Sequence, residues 1–125
     1  MSKKVDLDRL ADTLADYGFA YAISVGDDHR AHTAAVSPVL RDGLLHIGPV
    51  GRHTRANVEA HPEVTLLWPP STPGGYSLIV DGHAVQPDPL TVTPTRAVLH
   101  RPASDDSPPS TCGPAYDCVN LAAQA

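Results

Sequence analysis

Prolines and glycines interrupt this chain so often that no apolar run is free to become a long helix. Thirteen prolines and nine glycines are spread over 125 residues. Each proline removes a backbone donor, and glycine favours turns. Such a chain builds short strands and turns rather than a helical bundle. Its length fits one domain with a real core. The apolar share of 42% rests on Val, Leu and Ala, with one Phe, one Trp and one Met.

Taken in order, residues 6–17 carry Leu7, Leu10, Ala11 and Leu14 at helical spacing, with Asp6 as N-cap and Gly18 as stop. Phe19–Val25 reads as a first strand and Ala31–Leu40 as a second. Asp42-Gly43 is a hairpin signal, and it returns the chain through a third strand at Leu44–Ile47. A helix over residues 54–60 follows. Val64–Trp68, Tyr76–Val85 and Thr91–His100 complete six strands, with a bulge or kink expected at Asp81-Gly82. Residues 5–100 form the expected domain. Residues 101–125, rich in Pro, Ser and Asp at their start, form a loop-rich tail. Six short strands joined mostly by hairpins, with two or three short helices, predict a mainly β, antiparallel barrel.

The stretch from residue 45 to Pro69 carries the functional signal. A strand ends at Gly48-Pro49, passes Gly51 and feeds a helix start at Arg52, His53, Thr54 and Arg55. The first N–H groups of a helix have no intrahelical acceptor. The helix dipole adds partial positive charge there, which suits an anion such as phosphate. A basic cluster inside a chain of net charge −5 reads as a local anion site, while the overall charge argues against nucleic-acid binding.

No apolar run spans a bilayer and no signal-peptide pattern opens the chain, so a cytoplasmic protein is expected. Cys112 and Cys118 match no CxxC pair and read as incidental thiols. His29, His32, His46 and His83 have no spacing that fits zinc or iron, so no metal is expected. His32 and His46 are read as facing each other across a hairpin. Trp68 reads as core or interface. Asn57 is equally a ligand contact or a tie to a neighbouring loop. Pro38 inside a strand demands an edge or a bulge.

The segment Ala31 to Pro69 resembles the pyridoxamine 5'-phosphate oxidase-like proteins of the FMN-binding split-barrel superfamily. Val36-Ser37-Pro38-Val39, Asp42-Gly43, Arg52-His53-Thr54, Asn57 and Pro62 occupy that family's motif positions. The resemblance implies a six-stranded antiparallel split β-barrel acting as a homodimer, with FMN between the subunits. It places the phosphate on the turn at Gly48, Pro49, Arg52, His53, Thr54, Arg55 and Asn57. The ring would lie along Val36, Ser37 and Pro38. It implies a flavin-dependent oxidoreductase acting on a small molecule. A deazaflavin-dependent reductase and a non-catalytic barrel that binds another small ligand or no cofactor are the alternatives.

Three departures stand out. Relatives carry Lys or Arg where His53 and Thr54 stand, and those charges hold phosphate strongly. Pro49 also removes one donor from the turn. The arginine and tryptophan pattern that true pyridoxamine phosphate oxidases use for substrate is absent. No side chain is nominated as catalytic, because in such enzymes the cofactor carries the chemistry.

Overall fold

Alternating burial organises the computed structural model, which describes residues 2–103. Strand β1 spans Ser2–Val5, and a 3-10 turn at Leu7–Arg9 leads into α1 at Leu10–Leu14. Strands β2 (Ala20–Val25), β3 (Ala31–Val36), β4 (Val39–Arg41) and β5 (Leu44–Gly48) follow. Helix α2 (Arg52–Ala60) then precedes β6 (Glu63–Trp68), β7 (Ser77–Pro87) and β8 (Leu90–His100). All pairings are antiparallel. The strand order is β3-β2-β6-β7-β8-β5-β4, with β1 also on β8.

Period-2 alternation sends Ala20, Ala22 and Ser24 of β2 to the core, with Val64, Leu66 and Trp68 of β6 and Leu78 and Val80 of β7. Trp68, 1% exposed, is a core residue. Leu45 and Val92 meet in register between β5 and β8, and both are fully buried. The β4–β5 hairpin turns at Asp42-Gly43, both at positive φ (52° and 77°). This is the two-residue turn that the Asp-Gly pair predicts.

The six expected strands are all present, and two differences raise the count to eight. β1 carries Lys3 and Lys4 and buries only Val5, so no apolar alternation marks it. Its backbone pairs residue by residue with β8, from Ser2↔His100 to Val5↔Ala97. Ser2 Oγ and His100 Nδ1 lie 3.0 Å apart, and burial holds the His100 imidazole below its usual range. The expected strand 31–40 is broken at Ser37-Pro38, where proline has no N–H to pair. The two pieces, β3 and β4, lie at opposite ends of the strand order, so Pro38 separates two edges.

The expected helix 6–17 is shorter than its periodicity. Leu10 is fully buried while Leu7 is 41% exposed, and the Asp6 side chain makes no capping bond. Without a cap to offset its unpaired donors the first turn tightens to 3-10. Tyr17 closes the segment by donating its hydroxyl to the Tyr76 carbonyl at 2.8 Å. Burial, with Asp16 adding, raises the Tyr17 phenol above the ordinary tyrosine range. Tyr76 lies between Lys3 and Arg101, whose charged groups stand 5.0 and 4.9 Å from its ring.

The Asp81-Gly82 irregularity is real. The β7–β8 register shifts there and again between Ala84 and Gln86. A Cβ on Gly82 would lie 2.4 Å from Val92 Cγ1 and 2.7 Å from the Thr93 carbonyl oxygen. Gly82→Ala is therefore expected to destabilise the fold by about 2 kcal/mol or more, as overpacking against backbone does. Urea unfolding measures this, and an unchanged midpoint would contradict the close approach.

Candidate functional site

Gly48 ends β5 at φ 93°, a conformation that suits glycine alone. Gly51 then stands extended as the N-cap of α2, with no side chain to cap the helix. The first intrahelical bond runs from the Arg55 N–H to the Gly51 carbonyl at 3.0 Å. The N–H groups of Arg52, His53 and Thr54 precede it and have no intrahelical acceptor. They coincide with the positive end of the dipole of a nine-residue helix.

Successive helix residues turn by about 100°, so the four side chains expected to act together diverge. Arg52 is exposed. His53 turns towards the β2–β3 hairpin, its ring centroid 5.5 Å from that of His32 and tilted 56° to it. Thr54 is 1% exposed on the same buried face as Val58. Among the described residues its hydroxyl is the one buried side-chain polar atom without a hydrogen-bond partner. Arg55 reaches the β7–β8 connection, its Nη1 3.4 Å from Asp88 Oδ2.

Helix α2 is tied to the β2–β3 hairpin at two points. Asn57 donates from Nδ2 to Oγ of the fully buried Ser24 at 3.2 Å. At the helix end, His61 Nε2 lies 2.7 Å from Asp27 Oδ1. The hairpin comes this close because residue 26 is glycine. A Cβ there would lie 3.0 Å from Asn57 Oδ1 and 3.2 Å from Asp28 Oδ1. Asn57 is thus the tie, and it also borders a cavity of about 290 Å³. Gly26, Asp28, Arg30 and His32 border that cavity from the hairpin, and His53 and Asn57 border it from α2.

The structure therefore gathers His53 and Asn57 with Arg30, which the sequence reading left aside, and His32, which it had set opposite His46. His32 is not opposite His46. It pairs in register with Ser24, while His46 pairs with Val39 and Thr91. The hairpin register gives the reason. Counting outward from the turn sets His32 on the face of Ser24, and Ser24 is what Asn57 bonds. The other nominated residues lie elsewhere. Val36 is half-buried against the core, Ser37 is exposed and Pro38 half-buried between β3 and β4, and none of them borders this cavity. Pro49 is exposed on the turn before α2.

His83 faces Glu63 across β6 and β7, Nδ1 to Oε1 at 3.0 Å. Among the described residues no three His, Cys, Asp or Glu side chains are grouped to hold a metal. Cys112 and Cys118 lie outside the described residues. Among those residues no helix is long and apolar enough to cross a membrane.

No family model matches the chain. Uncharacterized protein Mb0449c of Mycobacterium bovis is 51% identical over 135 aligned positions, covering 94% of this chain and 95% of its own. Uncharacterized protein MT0457 of Mycobacterium tuberculosis matches with the same identity and coverage. Among solved structures, a candidate pyridoxamine 5'-phosphate oxidase from Listeria innocua superposes with TM-score 0.59 at 16% identity. That match covers 74% of this chain and 96% of the other. An F420 reductase matches with TM-score 0.58 at 16% identity, covering 69% and 94%. An FAD-binding protein from Mycobacterium smegmatis matches with TM-score 0.56 at 15% identity, covering 81% and 100%.

The orphaned Thr54 hydroxyl makes a direct prediction. Thr54→Val keeps the shape and removes the unpaired group, so the free protein is expected to be unchanged or more stable by about 1 kcal/mol. Chemical denaturation reads this, and a loss of about 1 kcal/mol or more would mean that the hydroxyl has a partner after all.

Proposed function

This chain belongs to the family of the two mycobacterial proteins and has the split-barrel fold of the pyridoxamine 5'-phosphate oxidase-like proteins; we propose that it binds a flavin-type cofactor and serves as an oxidoreductase on a small molecule. FMN is the first choice of cofactor and a deazaflavin the second. The observation that carries the reading is the start of α2. It presents a row of unbonded N–H groups behind a glycine N-cap, with Arg52 and His53 on the exposed side.

The residues present fit a phosphate-bearing group. Backbone N–H groups at a helix start receive an anion without further charge. Arg52 adds a fork of donors on the exposed side of the helix start. When bound, the cofactor supplies the hydride or electron chemistry. The chain's own part is to hold the phosphate.

The likeness to proteins named for FAD and F420 binding supports a flavin-type ligand without choosing among them. A non-catalytic barrel is the second reading. It is favoured by Arg55, whose charge is already engaged by Asp88, and by the burial of Thr54, which leave the clamp weaker than a pair of lysines.

A homodimer completes the proposal. Phe19, Val25 and Val39 are large apolar side chains left 46%, 38% and 53% exposed, and β3 ends the strand order with one edge unpaired among the described residues. Such surface supports a second copy of the chain as the missing partner. Light scattering at micromolar concentration is expected to give twice the chain mass, and a monomer mass would remove the shared groove.

The cofactor reading is tested by the visible spectrum of the purified protein and by titration with FMN, FAD and F420. Saturable binding of one of them is expected, and a colourless protein that binds none would leave the non-catalytic barrel. Arg52→Ala is expected to weaken binding by roughly tenfold, the loss of one charge-assisted hydrogen bond. Arg55→Ala should weaken it less, because Asp88 competes for that guanidinium. Equal affinity in wild type and Arg52→Ala would take Arg52 out of the site.

A further inference from the structure

We infer that the cavity between the β2–β3 hairpin and α2 is an oxyanion site whose grip is set by protonation of His32 and His53. The inference deepens the cofactor reading by giving the phosphate end a proton-dependent partner, and rests on that reading for the identity of the natural ligand. Its physical content stands on the cavity itself.

The two imidazoles come from different elements, His32 from β3 and His53 from α2, and meet with ring centroids 5.5 Å apart. Both border the same cavity of about 290 Å³, a volume that admits a tetrahedral anion. The rings are tilted by 56° and are not stacked face to face. An anion between the two rings is favoured by any positive charge they carry. His is the side chain that changes charge between about pH 5 and pH 8.

The other charges around the pair do not cancel this effect. From the hairpin, Asp28 faces Arg30, with Oδ2 3.9 Å from Nε, and also accepts the Arg30 backbone N–H on Oδ1 at 3.0 Å. Asp27 is held by His61, and His29 is exposed in the turn. From α2, Asn57 is neutral and engaged with Ser24, and Arg52 is exposed. β2 contributes Ser24, which has no charge. Arg30 and Asp28 both border the cavity and pair with each other, so the charge that varies there is that of the two histidines.

Linkage fixes the sign. An anion that binds the protonated pair more tightly takes up protons on binding, so its affinity falls as pH rises.

Sulfate is the test ligand because it stays doubly charged through the neutral range, leaving any pH dependence to the protein. Sulfate binding to the full chain would be followed by calorimetry and by the imidazole Cε1–H resonances from about pH 5.5 to about pH 8. Wild type is expected to lose affinity by roughly tenfold or more over that range. The resonances of His32 and His53 should move to higher proton affinity when sulfate is present.

His53→Lys should bind with little pH dependence. His32→Gln should lower the acid-side affinity towards the alkaline value. A wild-type sulfate affinity that is flat with pH, or equal in wild type, His32→Gln and His53→Gln, would overturn the inference. FMN titrated in parallel separates the two readings. Bound FMN with pH-flat sulfate affinity removes this inference and leaves the cofactor reading. pH-dependent sulfate binding without FMN, FAD or F420 binding keeps this inference and removes the other.

Discussion

The close approach of β7 and β8 at Gly82 is the contact on which the other positions depend. With no Cβ in the way, Val92 and the Thr93 backbone move against β7, and the register shifts on both sides of that point. β8 then has one edge on β7 along its whole length. Its other edge is shared, with β5 at the start and β1 at the end. A straight, evenly paired ribbon has no means of serving three partners in this way. The bulges bend it, and the bend decides where β5 delivers Gly48 and hence where α2 begins.

From there the site follows by local rules. The Gly48 turn and the Gly51 cap set the helix start, and helical phase distributes what comes next. Thr54 goes to the core, Arg55 to Asp88 and His53 to the hairpin. Asn57 and His61 then lock the helix against the hairpin, so the cavity wall and the helix that faces it hold each other in place. The polar groups of this region are thus split between an open helix end and a histidine pair, instead of being concentrated in two adjacent cations.

Most of the fold could be read from the residues alone, because alternation and turn chemistry are local signals. Asp42-Gly43 adopts the positive φ values its composition demands, and the strands near 20, 44, 64, 77 and 90 begin close to where alternation sets in. β1 escaped because Lys3 and Lys4 give no apolar pattern; its pairing is a property of the edge of β8. The shortened α1 escaped because periodicity records which residues could face a core, whereas only Leu10 is fully buried there. In the site, the helix start was legible from Gly51 and the basic run. Arg30 and His32 were not, since their meeting with α2 depends on hairpin register and on the missing side chain at Gly26.

The burial of Thr54 also bears on how the chain can change over generations. At position 53 a substitution to lysine sets a new charge on an exposed surface and meets little resistance. At position 54 the same substitution drives an ammonium group into the core beside Val58, at a cost that marginal folds do not tolerate. A pair of lysines or arginines at 53 and 54 is therefore one easy step and one forbidden step away. A lineage in this state is free to adjust its charge through residue 53, yet to gain the full pair it must first move the helix.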